Sequence, residues 1–236
     1  MRVAIVANSV FQRDCGREID RSDIVIRFNR CECFAANSGR KTTVLAFCNT
    51  GKSGLFFTQR HILNAIPGFA DVKTVWLPRN PAVYAVKKAV LPFFNHSKRV
   101  GMTDHSAEII HQMGGREVVI FDAAIHLALE TKLRHLGAGP DILPSTGLLA
   151  IEYVLERIAA KRDEILLFGF SHQGIRAHDW NCEHSLIDQY VKQGLLCRAD
   201  DALEGEWKRP KAKHWNSLVR LRELHPANLR HQPLSA

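Results

Sequence analysis

No stretch of this chain approaches the roughly 18 consecutive apolar residues that a bilayer-spanning helix needs, so no membrane span is expected. The apolar run Val3 to Ala7 is too short for a signal-peptide core and lacks a cleavage-like sequel. It reads as a first buried strand, and the chain as cytoplasmic. No G-x-G-x-x-G follows that strand and no P-loop occurs anywhere, which removes the usual dinucleotide and triphosphate cradles. Internal repeats, low-complexity tracts and long linkers are also missing, so residues 1–236 are expected to form one domain. Paired cysteines at zinc-knuckle spacing are absent. The six cysteines are scattered, with only Cys31 and Cys33 close together, and a single C-x-C is weak support for zinc. Without a secretory signal, reduced thiols are expected.

What is present suits a globular enzyme-sized domain. Apolar residues make up 46% and charged residues 24%, enough to bury a full core without disorder. The formal charge of +8 favours an anionic partner. The basic residues are dispersed and carry no aromatic-plus-basic signature of an RNA-binding module, so nucleic acid is not the expected partner.

Strand and helix patterns alternate along the chain, which predicts an α/β layered domain with a mostly parallel sheet flanked by helices. Strands are expected at Val3–Ala7, Ile24–Phe28, Thr42–Phe47, Val72–Leu77, Glu117–Phe121 and Glu164–Phe168. Helices are expected at 58–66, 82–90, 104–113 and 123–136, with another repeating Leu148, Ile151, Leu155 and Ile158. A further helix is expected beyond Glu183 to about Gln193, and a basic, helical tail from about 207. That tail can either rest on an anionic membrane surface or close the domain as a solvated helix.

Polar residues just beyond the carboxyl ends of strands in such a sheet are natural ligand positions, and Asn8, Ser9 and Asn29 stand there. Ser145 precedes a helix start at Thr146-Gly147. It can act as a plain helix cap, or the same free N–H groups can receive an anion beside the small Gly147. Among 12 histidines, His178 is singled out by a short loop after a buried-type strand and by Glu183 five residues on. A neutral imidazole there suits removal of a proton from an alcohol. Zinc bound by His178, Cys182 and His184 is a weaker alternative, since no fourth ligand is evident.

Together these segments resemble the eukaryotic-type sialyltransferases, glycosyltransferase family twenty-nine. Val3 to Ser9, Gly16 to Asn29 and Gly39 to Thr43 resemble that family's large sialylmotif, in order. Pro144-Ser145-Thr146-Gly147 through Leu167-Phe168-Gly169-Phe170 resembles its small motif, and His178 with Glu183 its very short motif. The resemblance falls in two blocks, within residues 3–43 and 144–183, and leaves the middle and the tail unmatched.

It implies a single Rossmann-like domain of variant GT-A type and an inverting, metal-independent transfer from a cytidine monophosphate (CMP)-activated acidic sugar to a glycan or glycolipid acceptor. The donor is sialic acid or its analogue Kdo, and no cofactor is needed. Asn8, Ser9 and Asn29 would bind the nucleotide, and Ser145, Thr146, Gly147 and Gly169 the substrates. His178 would be the base and Glu183 its support, and His172 is the candidate for an additional histidine motif. The family's Gly-Asn-Ser-Gly reads Ala7-Asn8-Ser9-Val10 here, and Val3 and Arg162 stand where the family has paired cysteines. The two lost glycines motivate a second reading, a non-catalytic CMP-binding accessory protein on the same fold.

Overall fold

Four consecutive residues of the first strand, Val3 to Val6, are at most 1% exposed. Such a run, apolar on both faces, belongs at the centre of a sheet covered on both sides. A computed structural model describes residues 1–171 and 178–199 and places it there. The expected tail from about 207 and His172 lie outside the described residues.

In chain order the elements are β1 (Arg2–Val6), α1 (Gly16–Asp20), β2 (Ile24–Phe28), β3 (Val44–Ala46), α2 (Gly51–Phe57), α3 (Arg60–Asn64) and β4 (Thr74–Leu77). Then follow α4 (Pro81–Val90), α5 (His96–Gly101), α6 (Ser106–Gln112), β5 (Glu117–Ile120), α7 (Ala123–His135) and α8 (Thr146–Tyr153). β6 (Glu164–Phe168), α9 (Trp180–Lys192) and β7 (Cys197–Arg198) complete them. All pairs in the seven-stranded sheet are parallel, in the order β5-β4-β3-β2-β1-β6-β7. The direction of winding reverses between β1 and β6, so a ligand crevice is expected at their carboxyl ends.

The predicted α/β class and six strands hold, with shifts of one or two residues. The helix expected at 58–66 is instead two short helices. Thr58 turns its hydroxyl back onto the Leu55 carbonyl at 2.8 Å, ending α2 before α3 begins. α2 itself went unread because Gly51 and Gly54 lower helix propensity. Space explains Gly54: an added Cβ would stand 2.6 Å from the Asn49 carbonyl carbon. α5 and the two-residue β7 were also unread. α8 runs into a π-helical turn at Val154–Ile158 rather than continuing as α-helix. α9 starts at Trp180, ahead of Glu183, with Asp179 capping it by accepting from the Cys182 N–H at 3.0 Å.

Helix α8 is buried almost all round, from Leu148 to Glu152. Its single carboxylate, Glu152, accepts from the Tyr190 hydroxyl at 2.6 Å and from Lys132, which also reaches the Tyr190 oxygen. That triad ties α7, α8 and α9 together, and it satisfies groups that would be costly to bury alone. On α7, Ile125, Leu129 and Leu133 face the core as their spacing predicts.

α7 also buries His126 completely, with Nε2 2.8 Å from the Pro78 carbonyl oxygen and 3.1 Å from the Asn80 nitrogen. Burial pushes this imidazole down from 6.5 to about 4, helped by Arg79 and Lys87 and opposed by the Pro78 bond. The unfolded chain binds the proton more readily. The stability gained by keeping His126 neutral is therefore full above pH 6.5 and lost as pH falls toward about 4. The loss is about 3 kcal/mol. Denaturant melts between these pH values should show it, and His126→Gln should flatten the curve; an unchanged slope in the variant would refute the assignment.

Candidate functional site

The predicted crevice is present. A cavity of about 500 Å³ opens where β1, β2 and β6 end, against the start of α8 and the loop before α9. Asn8, Ser9, Asn29, Ser145, Thr146, Gly147, Gly169, His178 and Glu183 all line it, so every predicted site residue within the described part of the chain comes to one place.

Their side chains divide into braces and open groups. Asn8 is a brace: its amide donates to the Phe28 carbonyl at 3.2 Å and accepts from the Glu32 N–H at 3.1 Å, joining the loops after β1 and β2. Asn29 takes a left-handed conformation (φ 53°), which Asn tolerates better than most residues. Its Oδ1 accepts from the Cys48 N–H at 2.9 Å, and its Nδ2 has no partner among the described residues. The Cys33 thiol meets the carbonyl oxygens of Asn8 and Ser9 at 3.1 and 3.0 Å, while the thiol of buried Cys31 is pushed up to about 11 by burial.

Ser145 does more than the cap expected of it. Its Oγ accepts from the Leu148 N–H at 3.1 Å and donates to Glu183 Oε2 at 2.6 Å, while its own N–H donates to Oε1 at 2.8 Å. The carboxylate of α9 is thus clamped to the first turn of α8. Burial raises the Glu183 carboxyl to about 7, against the two Ser145 bonds that pull it down. The N–H groups of Thr146 and Gly147 have no partner among the described residues and open toward the cavity at the positive end of α8. Space around Gly147 is tight: an added Cβ would lie 3.1 Å from the Phe170 ring, which would have to shift. Gly169 combines a left-handed φ of 68° with the Ala7 carbonyl oxygen 3.1 Å from its would-be Cβ.

His178 is held by its Nδ1, 2.6 Å from the Leu143 carbonyl oxygen. A carbonyl only accepts, so Nδ1 carries the proton and Nε2 keeps its lone pair. Burial lowers the imidazole below its ordinary range, the Leu143 bond raises it, and Arg79 lowers it further. The His178 imidazole is therefore neutral at pH 7. Trp180 packs edge-on against it, with ring centroids 5.1 Å apart. The weaker zinc reading gathers no ligand set: the Cys182 thiol turns to the Leu136 carbonyl, and exposed His184 faces Asp188.

Leu143, whose carbonyl holds His178, also lines a second cavity of about 980 Å³. Arg79 is the residue there that sequence reasoning missed. It is 7% exposed, donates from Nη1 to Thr50 Oγ1 at 2.6 Å and lies over the Tyr84 ring, leaving Nε buried without a partner. Arg79 follows the carboxyl end of β4 just as Asn8 and Asn29 follow β1 and β2, so the same positional rule would have found it.

The two glycines missing from the loop after β1 cost the backbone little. Neither Ala7 nor Val10 has a positive φ, and the Val10 side chain is 82% exposed, pointing out of the fold.

Comparison with known proteins bears on the fold and the family. A curated protein of Rhizobium meliloti (strain 1021), described as a urease operon 23 kDa accessory protein, is 28% identical over 198 residues, covering 83% of this chain and 91% of that one. The crystal structure of a mammalian sialyltransferase bound to Gal-beta-1-3GalNAc-ortho-nitrophenol superposes with a TM-score of 0.50 at 20% identity, over 84% of this chain and 69% of that one. A second structure of a mammalian sialyltransferase gives the same score and identity, over 84% and 68%. These structures establish the shared fold. The model of glycosyltransferase family 29 (sialyltransferase) matches residues 1–194, and the chain belongs to that family.

Proposed function

We propose that this protein transfers an acidic sugar, sialic acid or Kdo, from its CMP-activated donor to a hydroxyl of a glycan or glycolipid acceptor. One observation carries the reading: His178, its Nδ1 tied to Leu143, faces the same cavity as Asn29 and the free N–H groups of α8. In this scheme the smaller cavity, which His178 lines, holds the CMP donor, and the larger one, which shares Leu143 with the His178 bond, receives the acceptor. Nε2 removes the proton from the acceptor hydroxyl as its oxygen attacks the anomeric carbon. The bond from that carbon to the phosphate oxygen breaks, CMP leaves, and the configuration inverts. Charge on the leaving phosphate would be met by Thr146 and Gly147 N–H groups and by the nearby positive charge of Arg79, with no divalent ion required.

The second reading, a non-catalytic CMP-binding protein, is favoured by the name of the R. meliloti relative, an accessory protein. Incubation with CMP-sialic acid or CMP-Kdo and an acceptor extract, following CMP release, separates the two. Turnover supports transfer. Tight CMP binding with no release from either donor supports the accessory role. Under both readings Asn29→Ala should weaken CMP binding about tenfold, the worth of one lost hydrogen bond to a buried ligand. An unchanged dissociation constant would sink the site assignment.

A further inference from the structure

Helix α4 is inside out. Its polar Tyr84 is buried, while Val86 and Val90 are 66% and 76% exposed on one face, four residues apart. Just beyond Pro92, Phe93 and Phe94 are 92% and 83% exposed. Isolated exposed apolar side chains are ordinary, but four so close together in the chain mark a surface that meets a partner.

The charge in the same segment identifies that partner. Between Pro81 and Thr103 the sequence has no aspartate or glutamate, and it has Lys87, Lys88, Lys98 and Arg99. Lys87 and Lys98 pair with carboxylates of other segments, Glu130 and Asp141. Lys88 and Arg99 donate to neutral oxygens, Thr103 Oγ1 for the first and the Lys88 and Leu91 carbonyls for the second, so their charges are not neutralised by those partners. The same Arg99 bonds fasten α5 to the end of α4, which holds the two phenylalanines on a fixed platform.

We infer that the α4–α5 surface docks on an anionic phospholipid membrane, with Phe93 and Phe94 entering the headgroup boundary and the basic side chains facing lipid phosphates. The chain's own residues from 207 on are a poor occupant, carrying seven Lys or Arg against one Glu. A second copy would set like charges against each other. An anionic bilayer suits both the apolar residues and the basic ones. Val90, Leu91, His96, Lys98 and Val100 also line the larger cavity, so docking would bring its rim against the lipid surface. The inference stands on this surface and not on the transferase reading.

Flotation of the full chain with phosphatidylcholine vesicles, with and without phosphatidylglycerol, tests it. Wild type should float only with the anionic vesicles and should detach as salt rises. The Phe93→Ser/Phe94→Ser variant should lose about tenfold or more in partitioning, since two interfacial aromatic anchors are removed. Its circular dichroism and CMP dissociation constant should stay unchanged, because neither ring has a packing role. Absence of wild-type flotation would overturn the inference, as would equal flotation of the variant, which would place binding in the tail. A wild-type dimer dissolved by the variant, without vesicle binding, would identify a subunit interface instead. Failure of both proteins to bind CMP would count against the proposed function and leave the surface untouched.

Discussion

Replacing His178 with alanine should slow acceptor-dependent release of CMP about 10²- to 10⁴-fold, the usual contribution of a general base. CMP affinity should hardly change, because the nucleotide contacts lie on other elements. The reasoning rests on one bond. With Nδ1–H committed to the Leu143 carbonyl, the ring has a single tautomer and a fixed direction, and Nε2 is the only basic nitrogen available. Burial sets the sign of the pH dependence: the folded imidazole gains its proton below its ordinary range, so it stays basic through neutrality. The limb due to His178 should lie below 6.5 and should vanish in His178→Ala. Glu183 titrates at about 7, so a limb there belongs to the α8–α9 clamp and should move in Glu183→Gln, not in the histidine variant. A folded His178→Ala protein within about threefold of wild type would falsify the base assignment.

Arg27→Ala should cost about 3–5 kcal/mol of stability, read as a lower denaturant midpoint at unchanged slope. Arg27 is 2% exposed in β2. Its Nε donates to the Lys41 carbonyl at 3.0 Å, Nη1 to Ser38 Oγ at 3.1 Å, and Nη2 to the Ser38 and Gly39 carbonyls at 2.5 and 3.1 Å. Truncation strips these oxygens of their donors in a buried place. The segment they hold has Cys31 and Ala35 at positive φ, conformations that survive only when the surroundings enforce them. The same segment carries Glu32 and Cys33 against Asn8, so CMP binding should weaken as well. Arg27→Lys should recover part of the loss, because an ammonium reaches some of the acceptors but not in Arg's planar fork. A loss below about 1 kcal/mol in the alanine variant would mean that water replaces the guanidinium.

What could be read from the sequence follows from how local each signal was. β1, β2 and β6 announce themselves as unbroken apolar runs because central parallel strands are buried on both faces. α2 was hidden because Gly54 serves a backbone contact that no local pattern reveals. Asn29 and Gly169 stood out by position, at strand ends. His178 was marked more weakly, by a short loop after β6 and by Glu183 five residues on, and the order of the resembling motifs gave it its role. The Ser145–Glu183 clamp joins residues 38 apart in sequence, and the charge of Arg79 reaches His178 from the end of another strand. Such pairings exist only after the sheet has formed. The missing glycines at Ala7 and Val10 leave the backbone unstrained, since neither position uses a conformation that glycine favours.

The placement of β1 between β2 and β6 also has a bearing on biosynthesis. The amino group of Met1 bonds Asp163, 162 residues along the chain, and β1 pairs with β6 immediately after. A nascent chain leaving the ribosome therefore holds one edge of its central strand unpaired until β6 has been made. Contacts this distant in sequence are entropically slow to close, and the open strand edge invites pairing with other chains. Asn8 and Asn29 emerge early, whereas Ser145, His178 and Glu183 emerge late, so the cavity can form only after nearly all of the described sequence has been made. A polypeptide stopped short of residue 178 would have the loops after β1 and β2 but neither His178 nor Glu183.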